Sequence, residues 1–404
     1  MKKQFQYPIF LSLFFALGIL SMQSSFAQNE SDERALINVK NGISISKDSL
    51  FLLNLRFRMQ NRFGLNSASG EDLDIDRVDF RIRRLRLRLD GYVLSPKIQY
   101  YIQLGFSKAD LDLESGGFAQ PIRDAIVYYY FKPNFYMGFG QSKLPGNRER
   151  VVSSGNLQFA DRSIANGFFT LDRDFGFFSY YTYQTSGLSQ FQIKAAINTG
   201  EGRNPSVGDK GLSYTGRIEY LPFGKFKNNG DYSEGDLEFE DRPKLSLGVT
   251  YNWNENAHRT RGQLGSLLYE GRDLNVFIAD AMFKYAGWGA MAEFFKRGSK
   301  DPITMNEAGD VKAVVVGIGT NMHLSKMISR KDELAFRYAS VRPDEIINQY
   351  QNRLEETAVG YTRYLNGHRI KLQGNLGYVW NDGQIEIQNL DNYWFATFQV
   401  EFGI

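Results

Sequence analysis

Phe51-Leu52-Leu53-Asn54-Leu55-Arg56-Phe57-Arg58-Met59-Gln60 puts an apolar side chain at every odd position and, after Leu52, a polar one at every even position. A period of two marks a β-strand with one dry and one wet face. The same alternation recurs far downstream, where Trp394, Ala396, Phe398, Val400, Phe402 and Ile404 share one parity and Thr397, Gln399 and Glu401 the other. Between these ends it returns in Leu245 to Trp253, Glu333 to Tyr338 and Ile370 to Gln373. Sixteen strands are expected, the first at about 50–63, the twelfth at about 312–322 and the last at about 392–404.

Connection lengths separate a membrane barrel from a soluble sandwich. Those after even-numbered strands, such as Gly91 to Ser95, Lys132-Pro133, Ala286 and Leu365 to Gly367, are short, and those after odd-numbered strands are long. Outer-membrane barrels have short periplasmic turns and longer outer loops, with strands of about 9 to 11 residues. The expected fold is therefore all-β: one transmembrane antiparallel β-barrel of about 16 strands, wide enough to hold water. One connection breaks the alternation. The stretch at about 222–243 should be a periplasmic turn, yet it is long and acidic, with Asp231, Glu234, Asp236, Glu238, Glu240 and Asp241.

Composition agrees with this class. The 404 residues are 42% hydrophobic and 23% charged, with a mean hydropathy of -0.39, which excludes a bundle of membrane helices. Aromatic residues make up 15%, a load that suits strands and lipid–water boundaries. With no Cys there is no disulfide or thiolate metal site. Lys2 and Lys3, the apolar run Ile9 to Leu20 and the small-x-small site Ser25-Phe26-Ala27 read as a secretory leader over 1–27. A short periplasmic segment is expected at 28–47 and the barrel at 48–404. The leader holds two of the 48 Lys and Arg and none of the 45 Asp and Glu, so the remainder is almost neutral. Any charge preference must come from where the charges sit.

The charges are unevenly placed. Arg56, Arg58 and Arg62 lie opposite in parity to the apolar residues of the first strand and are expected to face the lumen. The second strand, Arg77-Val78-Asp79-Phe80-Arg81-Ile82-Arg83-Arg84-Leu85-Arg86-Leu87-Arg88-Leu89-Asp90, slips phase once. Strict alternation would turn either Arg77, Arg81 and Arg83 or Arg84, Arg86 and Arg88 towards lipid, at about 2–4 kcal/mol each at mid-bilayer. Either a bulge at Arg83-Arg84 turns both sets inward, or the upper half of the strand stands above the lipid. Arg56, Arg58, Arg62, Arg81, Arg83, Arg84, Arg86 and Arg88 are accordingly the expected anion-attracting wall. The longest outer loop, about 142–172, is the constriction candidate through Lys143, Arg148, Arg150 and Arg162. Guanidinium groups facing water attract anions, and their planar fork matches phosphate oxygens.

Phe80 to Leu87 followed by Asp90-Gly91-Tyr92, the run Gly138-Phe139-Gly140-Gln141-Ser142-Lys143-Leu144-Pro145, and the later stretches Ala195 to Gly200, Arg217 to Gly224 and Gly367 to Leu372 occur in an order that resembles the phosphate-selective porin O and P family. The resemblance implies a sixteen-stranded homotrimeric porin of the bacterial outer membrane, conducting small anions with phosphate or polyphosphate preferred. Other classes compatible with a barrel are a general or other-solute diffusion pore and a barrel-anchored surface adhesion protein. No enzyme is expected: His258, His323 and His368 are not at metal-ligand spacing, and there is no phosphate-cradling Gly-rich loop followed by Lys and Ser or Thr. No cofactor, metal or nucleic-acid partner is expected; the partners are small anions such as phosphate and the lipid of the outer membrane.

Overall fold

A computed structural model describes residues 36–38, 42–111, 120–205, 211–382 and 391–404. The expected leader, 1–27, lies outside the described residues. Sixteen long strands form the wall. They are β1 (Phe51–Ser67), β2 (Ile75–Val93), β3 (Ser95–Gly105), β4 (Ile122–Lys132), β5 (Phe135–Lys143), β6 (Arg173–Gln184), β7 (Gln190–Asn198) and β8 (Ser213–Leu221). The second half comprises β9 (Lys244–Arg259), β10 (Leu267–Tyr285), β11 (Trp288–Gly298), β12 (Gly317–Met327), β13 (Asp332–Pro343), β14 (Arg353–Asn366), β15 (Ile370–Asp382) and β16 (Tyr393–Gly403). Each pairs antiparallel with its chain neighbours, and β16 returns to β1 with Phe398 opposite Phe63, closing the barrel.

The wall is inverted relative to a soluble protein. On β9, Leu247, Val249, Tyr251 and Trp253 are 40–50% exposed on the outside, while Ser246, Thr250, Asn252 and Asn254 are fully buried inside. Apolar side chains outward and polar ones inward are what a strand in lipid requires. Turns at the periplasmic end are tight; Ala286-Gly287, both with positive φ (50° and 80°), give the twist that a two-residue hairpin needs.

Two departures from expectation have physical causes. The twelfth strand runs Gly317–Met327, about five residues later than the sequence suggested. The apolar run Val314-Val315-Val316 imitates a strand, but Val314 and Val316 are buried among Ala257, Leu268, Leu274 and Ile347 beneath the outer loops. At the foot of β1, Ile43–Lys47 pairs with Phe51 to Leu55, and β16 takes over at Arg58. A second short strand, Leu36–Asn38, pairs with Ile43–Lys47.

Candidate permeation pathway

The phase slip on β2 is a bulge. Gln60 faces Arg84 but Asn61 faces Ile82, which leaves Arg83 as the extra residue. Above it, Val78, Phe80 and Ile82 point outward at 53%, 77% and 51% exposure; below it, Leu85, Leu87 and Leu89 have the opposite parity to the buried Arg84 and Arg86. One inserted residue thus brings both Arg sets to the lumen side.

These Arg are held in different ways. Arg56 and Arg88 share Asp90, with the Arg88 Nε at 2.7 Å. Arg58 donates to the Ser153 and Ser154 hydroxyls at 3.1 and 2.7 Å. Arg81 pairs with Asp79 at 2.9 Å. Arg62 and Arg83 both grip Asp161. Burial pushes the Asp161 carboxyl up, but the adjacent Arg83 and Arg62 outweigh it and hold it well below the usual carboxylate range. Arg84 donates to Gln60 Oε1 at 2.7 Å and Arg86 to the Ser154 hydroxyl at 3.2 Å.

Residues 144–172 fold into the barrel. Leu144, Leu157, Phe159, Phe169 and Leu171 are buried, and the loop backbone is held across the lumen. Lys371 Nζ and Gln373 donate to the Leu157 carbonyl at 2.6 and 3.1 Å, and Arg337 donates to that of Asp161 at 2.8 Å. The loop is anchored on the side of the lumen formed by β8 to β15, and space remains along the β1 to β6 wall. Of the loop candidates, Lys143, Arg150 and Arg162 border that space. Lys143 Nζ donates to the carbonyls of Arg150 and Val151 at 2.9 and 3.1 Å, and Arg162 to those of Glu149 and Val152. Among the described residues, no carboxylate stands within ion-pair distance of Arg84, Lys143 or Arg162.

Arg148 is a correction to the expected set. It is fully buried away from the open space, donating to Asp280 at 3.2 Å, Glu219 at 3.5 Å and the Ser246 hydroxyl at 2.8 Å. Arg217 completes this node with a bidentate contact to Asp280 at 2.6 and 2.9 Å and a bond to Glu219 at 2.6 Å.

The long acidic connection between β8 and β9 also enters the lumen, from the periplasmic end. The Glu234 amide donates to the Asn156 carbonyl at 2.9 Å, and the Gln158 amide donates back to the Glu234 carboxylate at 2.8 Å. Lys284 Nζ donates to the Ser233 carbonyl at 2.9 Å, and the Gly287 amide to Asp236 at 2.7 Å. Asp231, Glu234, Asp236 and Glu240 are buried by this inward fold, whereas Glu238 and Asp241 stay exposed; the fold accounts for the length of the connection and for four of its six acids. Two inward folds from opposite faces therefore meet inside the barrel. Replacing 226–240 by a short turn should raise single-channel conductance; an unchanged conductance would mean that this fold lies off the ion path.

Among the described residues, two cavities lie in series along this space. The outer one, about 730 Å³, is bordered by twelve Arg and Lys side chains and two acids, Asp172 and Glu201. The inner one, about 660 Å³, reaches the periplasmic end beside Arg56, Arg88 and Ile404. Arg86, Lys143 and Arg173 border both, so they stand where one opens into the other. Arg173 is itself paired, with Asp124 at 2.9 and 3.0 Å. The sequence reading missed Arg173, and also Arg123, Arg259, Arg261 and Lys312 of the outer cavity. They lie at strand ends or in loops, where alternation gives no direction.

The family model of phosphate-selective porin O and P matches residues 53–392. No curated protein matches this chain significantly. Among solved structures, the anion-selective porin from Comamonas acidovorans is 14% identical, with a TM-score of 0.54, covering 88% of this chain and 100% of its own. OprB of Pseudomonas putida, in a high-pH structure, is 12% identical, with a TM-score of 0.55 and coverage of 88% and 95%. The trimer form of OmpT from Vibrio cholerae is 9% identical, with a TM-score of 0.50 and coverage of 88% and 100%. At these identities the likeness is one of fold.

Proposed function

This chain belongs to the phosphate-selective porin O and P family, and on that premise we propose that it passes small anions, phosphate among them, along the Arg-bearing wall. It is a diffusion channel of the bacterial outer membrane. The observation that carries the anion preference is the outer cavity, where twelve cationic side chains face two acids. Low-dielectric walls bearing one sign of charge concentrate counter-ions at the mouth. An anion then meets Arg86, Lys143 and Arg173 before entering the inner cavity. Each contact replaces part of the hydration shell, and several weak sites in series let the ion leave as readily as it enters. The guanidinium forks suit phosphate oxygens better than spherical chloride. Homotrimeric assembly is part of the proposal, in line with the trimer form of OmpT, and the mass of the detergent-extracted protein tests it.

Replacing Arg84, Arg86 and Arg88 together by Gln should lower anion preference while the barrel still assembles. The measurement is the reversal potential in planar bilayers under a KCl gradient, followed by competition of phosphate with chloride current. An unaltered reversal potential in assembled protein would remove the wall from the mechanism. Absence of any phosphate effect on the wild-type current would leave a general anion pore.

A further inference from the structure

The inner cavity differs from the outer in one chemical respect: it has aromatic walls. Among the described residues no aromatic ring borders the outer cavity, whereas Tyr101, Tyr128 and Tyr232 border the inner one. Tyr128 is edge-on to Tyr136 at 5.7 Å, and Tyr136 stacks on Tyr130 at 4.5 Å and on Tyr180 at 4.7 Å. Tyr128 and Tyr130 share the parity of Asp124, opposite the exposed Val127, Tyr129 and Phe131. These rings are thus not the lipid-side belt that anchors barrels; they face the lumen. Arg88 lies over the Tyr101 ring, 4.7 Å from its centre.

A tyrosine face is electron-rich, so it offers an inorganic anion nothing and mildly repels it. It does offer an apolar plane to a ligand that carries C–H groups. Beside the rings are hydrogen-bonding groups: the Tyr101 hydroxyl with Gln103 at 3.2 Å, and the side chains of Ser142 and Ser153. A volume of about 660 Å³ is ample for a ligand of several hundred daltons.

We infer that the inner cavity binds organic phosphates with a polyhydroxylated ring, that is sugar phosphates, the phosphate on Arg86 and Arg88 and the ring face on Tyr101 and Tyr128. This rests on the anion-channel reading above and narrows it to a substrate class. The cationic outer cavity admits by charge, and the inner one holds by shape and stacking.

The test is block of chloride current through the whole protein in planar bilayers by glucose 6-phosphate, inorganic phosphate and glucose. Glucose 6-phosphate should act at about fivefold lower concentration than inorganic phosphate, the scale of one good ring contact, and glucose alone far more weakly than either. In a Tyr101→Leu, Tyr128→Leu variant this advantage should vanish while block by inorganic phosphate stays as in wild type; Tyr101→Phe, Tyr128→Phe should keep it. Equal potency of the two phosphates in wild type overturns the inference and leaves the anion reading intact, and so does an advantage that survives in the Leu variant. A wild-type channel without anion preference overturns both. If the Leu variant does not assemble, the wild-type comparison decides alone.

Discussion

Replacing Arg86 and Lys143 together by Glu should move the reversal potential under a KCl gradient from the anion side to the cation side. Both residues stand at the junction of the two cavities. A unit charge about 7 Å from a passing ion contributes roughly 0.6 kcal/mol in a water-like dielectric. The double change alters the local charge by four units, so about 2 kcal/mol, which is more than tenfold in the local ratio of anions to cations. Salt screens this, and the effect should shrink as ionic strength rises past the range where the Debye length is about 10 Å. A channel that keeps its anion preference after both reversals would place the selective step elsewhere.

The second large effect is expected at Arg148. Its guanidinium, Arg217 and Lys194 together face Glu219 and Asp280, and the side chains of Arg148, Arg217, Glu219 and Asp280 are fully buried. Replacing Arg148 by Met keeps the bulk and removes the charge. Breaking a buried pair costs about 3–5 kcal/mol where the other charge is left alone; Arg217 and Lys194 still face the acids here, so the cost is about 3 kcal/mol, chiefly from the lost bonds to Asp280 and the Ser246 hydroxyl. Because Arg148 belongs to the inward outer loop and also donates to the Asp231 carbonyl of the periplasmic fold, both folds should loosen. The expected results are a lower temperature for loss of the compact barrel form on gels and a larger, noisier single-channel conductance. If thermal resistance and conductance both match the wild type, the node is not what holds the two folds in place.

The wall was readable from the residues because lipid and water impose opposite demands on successive side chains. The strand pattern of Phe51 to Gln60 and of Trp394 to Ile404 needs no distant partner to be recognised. The twelfth strand was misplaced because Val314 to Val316 meets the same apolar criterion while packing under loops. Parity also gave the lumen side of Arg56, Arg58, Arg84, Arg86 and Arg88, and the phase slip at Arg83-Arg84 marked the bulge. What lay beyond reach was the filling. Whether 222–243 hangs in the periplasm or folds inward depends on donors such as Lys284 and the Gly287 amide, which are remote in sequence. Arg148 could not be told from Arg150 and Arg162, since all three sit in one loop and only the ion pairs across the lumen separate them. The inward tyrosines were hidden because Tyr128-Tyr129-Tyr130 shows no alternation at all.

The lower part of β1 has a further consequence. Ile43–Lys47 and the end of β16 lie head to tail along it, with the Ile404 amide donating to the Phe57 carbonyl at 3.0 Å. A strand left with a row of unsatisfied amides would recruit any extended peptide in reach. With both segments seated, β1 itself presents no open row of amides here, and among the described residues the sheet edge left at this rim is the three-residue one of Leu36–Asn38, too short to template much strand addition between neighbouring barrels.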